Sequence, residues 1–350
     1  MNYRHLLFLQ VPLGLELSCE DVSALVREEL DPHDRCAVEA AAISPAAKRF
    51  FANKKGWVEA SVKVLEASEK AGIRWVDLTQ DEYPPSWRDL SCLPVIFSYQ
   101  GEPLWRQIPL ISIVGSRTPS SDTLMWMQRE LSEFLRQRSV GVVSGGARGV
   151  DQWAHRLALD SGRPTLCVLP TGLLNPYPFG NESFWRRILD QGGCMLSTCS
   201  LKQRLRTEFF HIRNRWIAGL SEVVFVVEAN RRSGSYLTAQ LAMEEHKTIC
   251  TLPVFPTATQ GLANLDLMHA GALFLRDHQD LVALADYCLR TALSPSALQD
   301  FQGEKQKDAV HQPQADTGGH PSALRHAVGA GFMEFPVPIP PVENRASFRI

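Results

Sequence analysis

The 350-residue chain is 45% hydrophobic and 21% charged, an ordinary composition with apolar mass for one large core and one smaller one. Its formal net charge of -2 excludes a chain that grips polyanions over its whole surface, so any nucleic-acid site must be a local basic patch. No apolar run reaches transmembrane length, and no membrane partner is expected.

In chain order, the apolar start from Leu6 to Leu15 is broken by Gln10, Pro12 and Gly14, which argues against a leader and for the cytoplasm. Residues 1–80 read as a small helical domain, with helix-like spacing over Asp21 to Leu30, Cys36 to Ala42 and Val58 to Ala71. Residues 81–109 are a Pro- and aromatic-rich lead-in. From residue 110 the pattern becomes strand, glycine loop, helix. LISIVG (110–115), VGVVSG (140–145), TLCVLP (165–170), CMLS (194–197), EVVFVVEA (222–229) and TICTLP (248–253) are short apolar runs. Amphipathic stretches over 122–138, 150–160, 182–190 and 235–245 lie between them. Apolar runs flanked by turn residues and separated by helices predict a parallel sheet buried on both faces. The expected body is an extended Rossmann-like, open, mostly parallel α/β sheet over 110–293. Residues 294–350 lose the periodicity and read as a Pro-rich disordered tail, in which FMEFPVPIPP (332–341) is an apolar patch.

Eight cysteines, none in a CxxC pair, read as reduced thiols, and neither a metal nor a cofactor is expected. The dinucleotide glycine fingerprint and the P-loop lysine are both missing.

Four strand-end loops carry unusual residues: Gly115-Ser116-Arg117-Thr118, Ser144 to Gly149, Pro170-Thr171-Gly172, and Ala229 to Ser235. In a parallel sheet all four face one edge, where ligands bind. Glycines let successive amides converge on an anion, and each loop opens a helix whose first N–H groups are unpaired. Arg117 and Arg148 add forked cationic donors. The segment from Lys202 to Arg215 adds five basic residues against one acid, with Phe209, Phe210, His211 and, just beyond, Trp216 interleaved. Basic groups with planar rings are how single strands are gripped without reading sequence. Arg213 and Arg215 read as phosphate contacts; for Phe209 and Trp216, core packing and base stacking stand level. Asp151 and His155 share one helix face, and read better as helix-start polarity plus a loop-bonding histidine than as a catalytic pair.

IVGSR (113–117), VVSGGARGVDQWAH (142–155), TLCVLPTGLLNPYP (165–178), RNRWIAGLS (213–221), VVFVVEANRRSGSYLTAQLA (223–242) and GLANLDLMHAGA (261–272) together resemble the DprA, or Smf, DNA-processing family. The resemblance implies a non-enzymatic, single-stranded DNA-binding homodimer that loads a RecA-type recombinase in natural transformation. It also implies DNA contacts at Gly115, Ser116, Arg117, Ser144, Gly145, Gly146, Arg148, Arg213, Asn214 and Arg215, with Ser233 and Gly234 as a further contact. The chain departs from the family pattern at Pro119 to Asp122, Thr198, His211 and Val254, and shows no recognisable C-terminal winged helix. A different class, a nucleotide-binding or nucleotide-hydrolysing enzyme of the same superfamily, lacks its PGGxGT-Glu signature here.

Overall fold

In the computed structural model, residues 57–91 and 93–291 are described. The expected helices before residue 57, and the expected disordered tail with its apolar patch after 291, lie outside them.

Helix α1 (Trp57–Lys70) leads into strand β1 (Arg74–Asp77), a short helix α2 (Pro85–Arg88) and β2 (Ile96–Gly101). The expected alternation follows: β3 (Leu110–Val114), helix α3 (Ser121–Trp126), a π turn at Met127–Leu131, α4 (Ser132–Gln137) and β4 (Gly141–Ser144). Next come α5 (Val150–Asp160), β5 (Thr165–Val168), α6 (Glu182–Asp190), β6 (Cys194–Ser197), α7 (Thr207–Gly219), β7 (Val223–Val226) and α8 (Gly234–Glu244). The body closes with β8 (Thr248–Thr251), α9 (Leu262–His269), β9 (Leu273–Phe274) and α10 (His278–Thr291).

The strands form one nine-stranded sheet in the order β1-β2-β6-β5-β4-β3-β7-β8-β9. Neighbours from β6 to β9 pair in parallel, whereas β2 pairs antiparallel with both β6 and β1. The lead-in therefore supplies a strand, and residues 74–77 are a strand where helix was expected. Both are four to six residues long and pair across large sequence gaps, so local periodicity carries little trace of them. The open, mostly parallel architecture and its helices match the expected fold class.

Continuous apolar strands follow from burial on both faces. On one face Val143, Leu166, Val224 and Val226 pack under Trp216 and Ile217 of α7 and Ala239 and Ala242 of α8. On the other, Ile111, Ile113, Val142 and Phe225 pack under Phe134, Leu135, Ala154 and Leu157. Cys167 and Met195 meet Trp185 and Ile188 of α6 in a third cluster. Cys167, Cys194, Cys199 and Cys250 are buried free thiols, as expected, and burial pushes each of them up from the ordinary thiol value.

Chain direction sets the site. From β3 the chain steps through β4 and β5 to β6, then returns across the sheet to β7 on the other side of β3. The crossovers after β3 and β7 thus diverge, opening a crevice beyond the carboxyl ends of these two strands.

The π turn is anchored by Glu130, whose carboxylate accepts from the His278 amide at 3.1 Å, from His278 Nδ1 at 2.7 Å and from Arg129 Nε at 2.5 Å. These bonds, led by the His278 side chain, outweigh burial and lower Glu130 from 4.5 to about 2. A carboxyl depressed in the folded state stabilises above its unfolded value and loses that contribution as pH falls. Stability should drop between pH 4.5 and about 2 through this group. Urea unfolding across that range should show a shallower pH dependence in Glu130→Gln; an unchanged slope would remove the carboxylate from the linkage.

Candidate nucleic-acid interface

Between the ends of β3 and β7 lies a cavity of about 400 Å³ lined by Gly115, Ser116, Arg117, Ala147, Asp151, Phe210, Arg213, Asn214, Asn230, Arg232, Ser233, Gly234, Ser235 and Thr238. Of the expected contacts, the structure thus brings together Gly115, Ser116, Arg117, Arg213, Asn214, Ser233 and Gly234.

Each wall has a local cause. The Ser233 hydroxyl caps α8 by accepting from the Tyr236 amide at 3.1 Å. The first-turn amides of Gly234 and Ser235, two residues of the cavity lining, have no helical acceptor and carry the helix's positive end. On the other wall, the Ser116 amide donates to the Glu228 carbonyl at 2.7 Å, and its hydroxyl accepts from the Thr118 amide at 3.1 Å. That fixes the loop after β3 and leaves Arg117 exposed beside the cavity, its guanidinium 5.3 Å from the Phe210 ring centroid. Arg213, from α7, lies 5.8 Å from the same ring.

The loop after β4 behaves differently from expectation. The Gly145 and Ala147 amides donate to the Asp151 carboxylate at 3.2 and 3.3 Å, and the Gly115 amide also bonds it. The glycine nest thus exists, but a side chain of the protein already fills it. Ser144 is fully buried and donates to the Ile113 carbonyl at 2.6 Å. Gly146 packs on Cys167 and Trp185. Arg148 is exposed on the loop, outside the cavity lining. Two glycines are sterically required: a Cβ on Gly145 would land on the Arg213 guanidinium, and one on Gly149, where φ is 84°, on the Ser116 carbonyl.

Asp151 and Arg213 form a buried pair, with an oxygen to Nη1 distance of 4.0 Å and side chains 7% exposed on both sides. Burial raises the carboxyl and lowers the guanidinium, and their mutual attraction opposes both shifts. Arg213 Nε has no hydrogen-bond partner among the described residues. Behind the pair, the fully buried His155 places Nδ1 2.6 Å from the Thr165 hydroxyl, which donates to the Val142 carbonyl. Nδ1 therefore carries the proton, assigned from this network. Burial, then Arg213, lowers His155 to about 3, so it stays neutral and structural, as the sequence favoured.

Three other expectations need correcting or deciding. Arg215 points away: it pairs with Glu245 at 2.6 Å and Glu244 at 3.7 Å, and donates to Ser91. On α7 a two-residue step from Arg213 turns the side chain well round the axis. The loop after β5 is covered, with Thr171 fully buried and the Gly172 amide donating to Gln203. Phe209 and Trp216 are 7% and 4% exposed, and Trp216 lies 5.7 Å from Trp87, so both serve the core. Asn214 is in the lining but also ties α7 to α8, donating to the Gly234 carbonyl at 3.1 Å.

Two features were missed. Exposed Arg232 lines the cavity, and its signal was its place in the loop after β7. An aromatic shelf adjoins Arg117: Phe210 contacts Tyr177, which contacts Phe179, and Phe179 is 63% exposed. The shelf joins α7 to a loop some thirty residues earlier, which periodicity cannot reveal.

An open, mostly parallel α/β sheet with an arginine-lined cavity at its reversal point defines a fold of the doubly wound class. Residues 74–286 match the model of the family described as DNA recombination-mediator protein A, and the chain belongs to that family. Protein Smf of Synechocystis sp. is 32% identical over 223 residues, 63% of this chain and 56% of that protein. The chain thus spans about half the length of this curated relative. Among solved structures, DNA processing protein A of Streptococcus pneumoniae matches with a TM-score of 0.61 and 27% identity, covering 74% of this chain and 88% of that one. DNA processing protein A from Helicobacter pylori, reported for its unique single-stranded DNA binding mode, matches with a TM-score of 0.54 and 27% identity, covering 61% and 97%.

Asp151→Ala should cost roughly 3–5 kcal/mol, because Arg213 then stays buried with no counter-charge. Inorganic phosphate should recover part of the lost melting temperature by binding beside Arg213. Melting indifferent to phosphate in both proteins would place the anion elsewhere.

Proposed function

We propose that this chain binds single-stranded DNA, holding a strand phosphate in the β3–β7 cavity and bases on the adjoining aromatic shelf. The observation that carries the reading is convergence: Arg117, Arg213 and Arg232 meet the amino end of α8 in one cavity, with Phe210 beside two of these arginines. Guanidinium forks suit phosphate oxygens, and exposed rings stack on any base. Likeness to a protein known for binding single-stranded DNA supports the same ligand here. On this reading the strand contacts are Gly115, Ser116, Arg117, Arg213, Ser233 and Gly234, joined by Arg232, Phe210 and Phe179.

The biological setting we infer is DNA processing in recombination, in a non-membrane compartment, as a homodimer that delivers the strand to a RecA-type recombinase. Family membership supports it. No helix among the described residues is long and apolar enough to cross a membrane. We read the role as non-enzymatic, because the carboxylate at the cavity and the histidine behind it are committed: Asp151 to backbone amides, and His155 to Thr165 in its neutral form.

Gel shifts should show oligo-dT bound ahead of duplex DNA, with affinity falling steeply as salt rises. Arg117→Ala and Arg232→Ala should each weaken oligo-dT several-fold and lower the salt slope by about 1. Unaltered affinity in both variants would move the site away from this cavity. Base release from a nucleoside monophosphate would instead favour a nucleotide hydrolase.

A further inference from the structure

We infer that the β3–β7 cavity takes the terminal phosphomonoester at the end of a strand in preference to an internal phosphodiester; the inference rests on the strand-binding reading above.

The cavity has a rim and a floor of different character. Arg117, Asn230, Arg232 and Gly234 are exposed at the rim. Asp151, Arg213, Asn214, Ser235 and Thr238 form a floor in which none is more than 7% exposed. The floor is closed, because Asn214 bonds the first residue of α8 and Asp151 plugs the loop after β4. A backbone passing through needs an entrance and an exit for two ester links. A closed floor accommodates a group substituted on one side only.

Charge points the same way. The charged lining residues are three arginines against one carboxylate, an excess of two positive charges. Asp151 is paired with Arg213 at the floor, so the excess is carried by Arg117 and Arg232 at the rim. A phosphodiester brings one negative charge, whereas a terminal monoester brings about -1.5 to -2 at neutral pH. It also offers three terminal oxygens, where a diester offers two. The donors available number more than a diester can satisfy: the first-turn amides of α8 and the rim guanidinium groups, with Arg213 Nε buried beneath them and without an acceptor among the described residues. An orphaned buried donor is costly and leaves Arg213 with hydrogen-bonding capacity unspent. The shelf of Phe210, Tyr177 and Phe179 lies beside the rim, where the first bases after such an end would leave the cavity.

The test is fluorescence anisotropy on the full chain with short oligo-dT carrying a 5′-phosphate, a 3′-phosphate or neither. Circular single-stranded DNA, dTMP and inorganic phosphate serve as competitors. One phosphorylated oligomer should bind about tenfold tighter than the bare one (~1.4 kcal/mol). The advantage should shrink from about pH 7.5 to about pH 5, as the monoester loses its second charge with a pKa near 6. Arg232→Ala, a substitution of an exposed side chain, should reduce the advantage with the melting temperature kept. dTMP should compete better than inorganic phosphate, because it also engages the shelf. Equal affinity for phosphorylated, bare and circular strands overturns the terminal preference and leaves strand binding standing. Competition between dTMP and phosphate with no oligomer bound overturns strand binding and keeps the monoester site.

Discussion

The buried contact between Asp151 and Arg213 is the constraint on which the rest of the site depends. It joins the glycine loop after β4 to helix α7, two segments some sixty residues apart. Asp151 could not stay charged in the interior without the Gly145 and Ala147 amides and the nearby guanidinium. Arg213 could not stay there without Asp151, because an isolated buried guanidinium has no means of neutralising itself. Gly145 is required because the guanidinium occupies the space a side chain would take. Packing, charge and backbone conformation at this point are therefore one problem with a joint solution. Its residue is a single unsatisfied donor, Arg213 Nε, at the floor of the cavity.

This arrangement changes how a glycine-rich loop is understood. Converging amides are an anion site in either case. Here the anion in the β4 loop is internal, so the loop's contribution to a ligand is indirect: it fixes Arg213. On the proposed strand-binding reading, the direct contacts fall to the loop after β3, the amino end of α8 and the arginines around them. In this chain a Cβ on Gly145 would displace the Arg213 guanidinium.

The lead-in segment gains a purpose as well. Trp87, Tyr83, Phe97 and Trp105 form a ring cluster in which Trp87 meets Trp216 of α7. The same helix presents Arg213 and Phe210 to the cavity. Arg215, read from sequence as a phosphate contact, clamps α7 to Ser91 and Glu245 instead. The aromatic lead-in and this clamp hold α7 against the sheet, so that its basic residues divide between structure and site by their direction around the axis.

The sequence by itself determined the parallel body, because continuous apolar runs between glycine turns have few other folded solutions. It also determined that four loops would share one edge, since parallel strands leave no alternative, and it placed Gly115, Ser116, Arg117, Arg213, Ser233 and Gly234 among the candidates. Short apolar runs carry their burial pattern locally, which is why these features were legible. Tertiary structure alone decided that β1 and β2 extend the sheet, since β2 joins the body by pairing Ser98 with the distant Ser197 of β6 and β1 follows on β2. It alone decided which of the four loops is open: Thr171 is covered by a later segment, and Asp151 fills the β4 nest. It turned Arg215 away, sent Phe209 and Trp216 to the core, brought Arg232 to the cavity and joined Tyr177 and Phe179 to Phe210. Direction around a helix and proximity between loops depend on how elements pack, and no local pattern of residues encodes that.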